Sequence, residues 1–244
     1  MITNSARNAA KWLLGCAGLV VNGTLGVVPA WQYVLRRLRA AGFEPRTVFD
    51  IGVARGTPEL YGAFPDAHYY LVDPTHESAP YMNEIALRLN AEVLNVALGD
   101  CDAERVICAR TEDIGGSSFF DEIGEEPPMR RYPVPVRRFD QIIDGFERPA
   151  LAKIDVQGAE LQVLRGMGER IRALDAIIVE ASVIATVRDG PEVADVIGFM
   201  KDKGFVVYDM LGGARRPLDR ALAQVDLLFV HEDSEFRADR RWRG

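Results

Sequence analysis

Five acids stand at or beside the ends of apolar runs. Asp50 lies in Thr47-Val48-Phe49-Asp50-Ile51, Asp73 follows the run His68 to Val72, and Asp100 follows Glu92 to Leu98. Asp155 lies in Leu151 to Val156, and Glu180 ends Asp175 to Glu180. If these runs are parallel strands, their carboxyl ends share one edge of a sheet and the acids gather there. A row of carboxylates repels a polyphosphate in the absence of a metal. It suits a ligand that is cationic or rich in hydroxyl and amino donors. Taken singly, each acid has a plain alternative, as a helix cap or an arginine's partner. The joint pattern is the signal.

The elements that must position these acids follow from local chemistry. Thr47, Val48, Phe49 and Ile51 are β-branched or aromatic and favour a buried strand. Gly52 and Gly56 then give a turn with close backbone approach and positive φ. Thr57 suits a helix N-cap and Pro58 the first helical position, so a short helix is expected to Phe64. His68 to Val72 is a second strand, closed by Asp73-Pro74. Asp73 lies 23 residues after Asp50, about one strand-helix-strand step, where such folds place the acid that accepts ribose hydroxyls. Ser78 to Leu89 reads as a helix and Glu92 to Leu98 as a third strand. From Cys101 to Pro135 the pattern breaks, and Arg105 to Ala109 and Tyr132 to Val136 read as strands of an inserted lid or hairpin. A short helix follows over Asp140 to Asp144. The fourth core strand, Leu151 to Val156, turns at Gln157-Gly158 into a helix reaching about Arg172. A fifth strand, Asp175 to Glu180, precedes a helix from Pro191 to Lys203 with Val193, Val196, Ile197 and Met200 inward. Phe205 to Met210 and Val225 to Val230 complete the sheet, with an antiparallel pairing expected across Gly212-Gly213.

The chain has 244 residues, 48% of them hydrophobic, and a formal net charge of −7. This suits one α/β domain with a full core. The acidic balance argues against nucleic acid, which needs clustered Lys and Arg. Arg36, Arg37 and Arg39 read as a solvated helix face, and Arg237, Arg240, Arg241 and Arg243 as part of a basic tail, with an anionic docking patch as the alternative. The cysteines, Cys16, Cys101 and Cys108, are odd in number and fit no metal spacing. Reduced thiols and a cytoplasmic setting follow. The apolar, glycine-rich stretch Trp12 to Val28 follows Arg7 and Lys11 but falls short of the roughly 20 residues of a spanning helix. It is read as a cap over the site or an oligomer contact, with peripheral membrane association as the competitor. An amphipathic helix follows over residues 31–41, with Trp31, Val34, Leu35 and Leu38 on one face and Gly42 as its stop. The organisation expected is therefore a helical extension over 1–45, a main domain over 46–232 with a β-rich insertion at 101–138, and a tail from 233.

S-adenosylmethionine meets the demands of the acid row: a sulfonium, an α-amino group and two ribose hydroxyls. Gly52-x-x-x-Gly56 is neither the G-x-G-x-x-G of dinucleotide binders nor a P-loop. The chain also resembles the FkbM-type S-adenosylmethionine-dependent methyltransferases. The resemblance rests on Asp50-Ile-Gly-Val-Ala-Arg-Gly56, Asp73-Pro74, Ala97-Leu-Gly-Asp100, Ser117-Ser118 and Lys153-Ile-Asp-Val-Gln-Gly-Ala-Glu160, with Val163-Leu-Arg-Gly166 after it. It covers about residues 46 to 182. The family has Ala-Asn where this chain has Val53-Ala54, and Glu where it has Asp73. The shorter acid implies a longer or water-bridged ribose contact. Residues 1–45 carry no family signature.

The resemblance implies a class I methyltransferase, with a Rossmann-like, mostly parallel sheet whose last strand is antiparallel. It also implies O-methylation of a hydroxyl on a sugar, polyketide, other secondary metabolite or glycan. Asp50, Gly52 and Ala54 would line the methionine and adenosyl end, with Val53 and Gly56 in the same turn. Asp73, with Pro74, would take the ribose, and Ala97 and Ser118 would lie near the adenine. An alcohol is a weak nucleophile, so a base helps. Asp155 is the candidate; the competing reading has it only orient the cofactor or cap the Gly158 helix. Glu180 is a candidate second acid of the acceptor site, and Lys153 an ion-pair partner. No ligand spacing requires a metal. A nicotinamide oxidoreductase and a non-catalytic binding module are the rivals. The glycine pattern opposes the first, as does the lack of a tyrosine with a lysine four residues later.

Overall fold

A computed structural model describes residues 19–21, 27–29, 31–124 and 128–243. Most of the expected cap, Trp12 to Val28, lies outside the described residues. Its described parts are two short strands, β1 (Leu19–Val21) and β2 (Val27–Pro29), which pair antiparallel. Helix α1 (Trp31–Ala40) follows, burying Val34, Leu35 and Leu38 as its periodicity predicts. Gly42, at φ +88°, ends it.

The core alternates strands and helices. β3 (Thr47–Ile51) leads through the glycine turn into α2 (Pro58–Ala63). β4 (His68–Val72) leads to α3 (Ala79–Ala86) and β5 (Ala91–Leu94). Here the chain departs from the expected third strand. Residues 92–98 do not run as one: β5 ends at Leu94, and Ala97–Leu98 (β6) leaves for a second sheet with β7 (Ala103–Arg110) and β8 (Met129–Arg137). α4 (Phe139–Ile142) returns the chain to β9 (Ala150–Ile154). α5 (Glu160–Gly166) is shorter than expected, and residues 168–173 tighten into a 3₁₀ turn. β10 (Ala176–Ser182), α6 (Val193–Asp202), β11 (Phe205–Arg215) and β12 (Leu222–His231) complete the fold. The last two are longer than predicted and pair antiparallel. Ile197 of α6 faces outward at 40% exposure, whereas Val196 and Met200 are buried.

The main sheet has seven strands in the order β11-β12-β10-β9-β3-β4-β5. β10, β9, β3, β4 and β5 are parallel neighbours and β12 is antiparallel to β10. The order reverses beside β3, so a crevice opens at its carboxyl end. One face carries α1, α2 and α3 over Val48, Tyr69, Leu151 and Ile178. The other carries α4, α5 and α6 over Phe49, Ala152, Ile177 and Phe229. The second sheet leans against α5 at Gly166, where a Cβ would stand 1.9 Å from the Gly99 carbonyl oxygen. Asp100 is held there, its carbonyl accepting from Arg138 Nη1 at 2.9 Å. It is therefore not part of the acid row, contrary to expectation, because the strand that should have carried it ends at Leu94.

Candidate active site

The glycine turn presses directly on the next strand's loop. Gly52 sits at φ +80°, and a Cβ on it would lie 1.7 Å from the Asp155 carbonyl oxygen. Asp155 N–H donates to the Ile51 carbonyl at 3.0 Å, joining the two loops. Ala54 also takes a positive φ, 48°, which turns its N–H onto Asp73 Oδ2 at 2.9 Å. Asp73 Oδ1 accepts from Thr75 N–H at 2.9 Å and Oγ1 at 2.6 Å. Thr57 makes no side-chain cap; its hydroxyl donates to Asp50 instead, at 3.3 Å.

A cleft of about 530 Å³ opens at this edge. Of the residues singled out in the sequence, Gly52, Ala54, Asp73, Pro74, Ala97, Ser118 and Asp155 line it. Val96, Leu98, Ile107, Ile114 and Phe119 add an apolar wall, partly from the second sheet and its loop. These last residues carry no signal in the sequence, because nothing in the spacing of the insertion shows which side chains face the main sheet. The Ser118 hydroxyl is committed, donating to the Gln157 carbonyl at 2.7 Å and accepting from Phe120 N–H at 3.0 Å. Arg55 ties the turn to the insertion through the Glu112 carbonyl at 2.8 Å.

Asp50, Val53 and Gly56 are not brought to the cleft. Asp50 is wholly buried under the turn, accepting from Tyr61 Oη at 2.5 Å and standing 3.4 Å from Lys153 Nζ. Val53 is core, and a Cβ on Gly56 would meet Ile85 and Tyr61. His76 stacks on Tyr132, with ring centroids 4.3 Å apart, outside the cleft lining.

A polar network continues the rim beyond the cleft. Lys153 is 6% exposed. Its Nζ donates to the Gly52 carbonyl at 2.8 Å and lies 3.3 Å from Asp155 Oδ2. Burial opposes its charge, yet Asp155 and Asp50 together raise its pKa. Gln157, at φ 49°, places its amide 2.8 Å from Asp155 Oδ1 and 2.5 Å from Glu180 Oε2. Gln224 adds a second donor to Glu180 Oε2 at 2.9 Å. Glu180 pairs in register with Asp226, whose Oδ2 accepts from the Trp31 indole at 3.1 Å. Asp226, Gln224 and Trp31 were not singled out as site residues. Burial raises the pKa of Glu180, and the Asp155 and Asp226 charges add to it. Burial likewise holds the Glu160 carboxyl up at about 7, despite its bonds from Gly158 N–H. Among the described residues, no group of three or more His, Cys, Asp or Glu is disposed to hold a metal ion. No helix among them is long and apolar enough to cross a membrane.

The sheet order, antiparallel edge and carboxyl-edge cleft are those of a class I, S-adenosylmethionine-dependent methyltransferase. Similar solved structures include 1,6-didemethyltoxoflavin-N1-methyltransferase of Burkholderia thailandensis, with bound S-adenosylhomocysteine. It is 15% identical with a TM-score of 0.43, over 84% of this chain and 79% of that one. Magnesium protoporphyrin IX methyltransferase of Synechocystis, with bound SAM, is 14% identical with a TM-score of 0.44, over 82% and 77%. Precorrin-6y C5,15-methyltransferase of Geobacter metallireducens is 11% identical with a TM-score of 0.43, over 82% and 87%. No curated protein matches. The methyltransferase FkbM domain model matches residues 50–207, more than half the chain, and the chain belongs to that family.

The cleft residues fit S-adenosylmethionine. The one N–H on Asp73 Oδ2 leaves a lone pair for a ribose hydroxyl. Val96, Leu98, Ile107 and Phe119 suit a flat, apolar ring. Asp155, at the same cleft, is a counter-charge for a cation.

Proposed function

We propose that this enzyme methylates a hydroxyl group on a sugar, polyketide, other secondary metabolite or glycan. The observation carrying this reading is Asp155. Its side chain is 29% exposed, it lines the cleft, and an ammonium is held 3.3 Å away. A carboxylate so placed suits an acceptor whose oxygen must shed a proton as it reacts.

When bound, S-adenosylmethionine supplies a methyl group already activated by its sulfonium. Gly52 and Ala54 would shape the wall at the methionine end, Asp73 with Pro74 would take the ribose, and Ala97 and Ser118 would wall the adenine. Asp50, Val53 and Gly56 serve from behind, by keeping the turn in shape. The insertion excludes water through Ile107, Ile114 and Phe119, which strengthens every charge interaction inside. Asp155 orients the acceptor hydroxyl by accepting its hydrogen bond, and then takes its proton. Alignment supplies most of the remaining acceleration.

The test incubates an acceptor library with isotopically labelled S-adenosylmethionine and reads the products by mass spectrometry. Label on oxygen is expected, and label confined to nitrogen or carbon overturns the hydroxyl reading. With an acceptor in hand, Asp155→Asn should lower kcat about 100-fold or more. Undiminished turnover removes Asp155 from the role of base.

A further inference from the structure

Three carboxyl groups stand abreast on neighbouring strands, along the rim that continues beyond the cleft. Glu180 of β10 is in register with Asp226 of β12, and Asp155 is one residue past Ile154, the partner of Val179. Asp50 lies one layer deeper, against the same ammonium. Four carboxyls therefore share one cation, Lys153, with Asp50 and the ammonium buried and the other three half-buried. So many negative charges beside a single positive one cannot all be ionised in low dielectric, because each unpaired carboxylate carries a desolvation penalty.

The contacts decide where the proton rests. Lys153 Nζ sits between Asp50 and Asp155, at 3.4 and 3.3 Å, so both of these have a cation in contact. Asp226 has the Trp31 indole N–H. Glu180 has no cation in contact among the described residues. Its Oε2 takes the Gln157 and Gln224 amides, and the same Gln157 amide bonds Asp155 Oδ1 at 2.8 Å, which draws the two carboxyls together. Two carboxyls drawn onto one amide repel each other unless one keeps a proton, and Glu180 is the member of that pair without a counter-ion.

We propose that Glu180 is a positioning residue for the transfer step: it keeps a proton, and through the Gln157 amide the two share it holds Asp155 aimed at the acceptor without adding a second negative charge beside it. This rests on the reading of Asp155 as the base. The acceptor's proton ends on Asp155 and leaves from there to water, while Glu180 holds its own proton throughout. Gln157 clamps the pair from the loop after β9, and Gln224 fixes Glu180 from β12. The titratable groups facing Glu180 are Asp155, Asp226 and Lys153. The first two favour its neutral form, as burial does, and only Lys153 opposes them.

Carboxyl carbon-13 NMR of ligand-free protein labelled in glutamate Cδ tests this without any acceptor. One glutamate should remain protonated at pH 7 and titrate well above the usual carboxylate range. Glu160 is a second raised glutamate, so the signal is assigned by its loss in Glu180→Gln. In Asp155→Asn and in Asp226→Asn the same signal should move to lower pH, because each removes a like charge. An ionised Glu180 at pH 7 in the wild type overturns the proposal. So does a protonated signal that survives Glu180→Gln, or one that neither Asn variant moves. The outcome is separable from the base assignment. Failure of Asp155 as base shows in turnover of Asp155→Asn, whereas failure of this proposal shows in the carboxyl spectrum.

Discussion

Replacing Gly52 by alanine concentrates the strain of the site in one methyl group. Two costs add. At φ +80° an L-residue loses about 1–2 kcal/mol relative to glycine. The added Cβ would begin 1.7 Å from the Asp155 carbonyl oxygen and 2.8 Å from its carbon. Relief to an ordinary contact requires the β3 and β9 loops to part by more than an ångström, an overpacking cost of about 1–3 kcal/mol. Neither neighbour yields freely, since Gly52 N–H is bonded to the Val72 carbonyl at 2.8 Å and Asp155 N–H to Ile51 at 3.0 Å. A loss of ~3 kcal/mol lowers Tm by about 6–12 °C in a chain of this size. Both loops line the cleft, so an ångström-scale shift should also weaken S-adenosylmethionine binding about 100-fold, by the sensitivity of positioned groups to misplacement. Calorimetry reads both quantities. Gly198→Ala is the control: it sits in α6 with nothing within 4 Å of its Cβ, and it should gain about 0.5–1 kcal/mol from helix propensity. A Gly52→Ala protein that melts with the wild type and binds the cofactor equally well would refute the close approach of the two loops.

Asp73→Ala removes the acceptor of the Ala54 and Thr75 amides and, by the reading above, of a ribose hydroxyl. Titration calorimetry with S-adenosylmethionine should show affinity down about 10- to 100-fold, the worth of one or two bonds to a charged group; an unchanged Kd dismisses the ribose role. Glu160 gives a stability prediction with a definite sign. Its folded pKa, about 7, exceeds the ordinary 4.5, so the fold favours its neutral form. The stability it contributes is complete below about pH 4.5 and is lost as pH rises through 7. At 1.36 kcal/mol for each pH unit between those two values, this amounts to about 3 kcal/mol. Glu160→Gln should escape this loss, so urea melts of the two proteins should diverge by that order between pH 4.5 and 8, and parallel curves would contradict the assignment.

Much of the fold could be read because its strands are short, β-branched and punctuated. Thr47–Ile51, His68–Val72 and Ala150–Ile154 fall within two residues of their expected bounds, since apolar runs bounded by glycine, proline or acids leave few alternatives. The run 92–98 misled because Val93, Leu94, Val96, Ala97 and Leu98 are apolar in both halves. Nothing local records that Ala97 pairs with Val136, some forty residues on, rather than continuing the main sheet. Ile197 misled for a related reason. It shares a helical face with Val193, yet only Val196 and Met200 of α6 are fully buried against the sheet.

The site divides along the same line. Gly52, Ala54, Asp73 and Asp155 were visible because parallel strands deliver their ends to one edge in chain order, so position in the sequence implies position in space. Asp226 and Gln224 lie near the start of an antiparallel strand, and only antiparallel pairing returns a strand's beginning to the edge where its neighbours end. Trp31 reaches the same edge from a helix 195 residues away from its partner Asp226. Asp50 shows the converse. Its place in the motif suggested a ligand contact, but a residue still inside a strand points into whatever covers that face, and here Tyr61 and Lys153 close over it. The acid at a strand's end and the acid one residue before it therefore do different work. The first lines the cleft, and the second holds from beneath the ammonium that its neighbour also contacts.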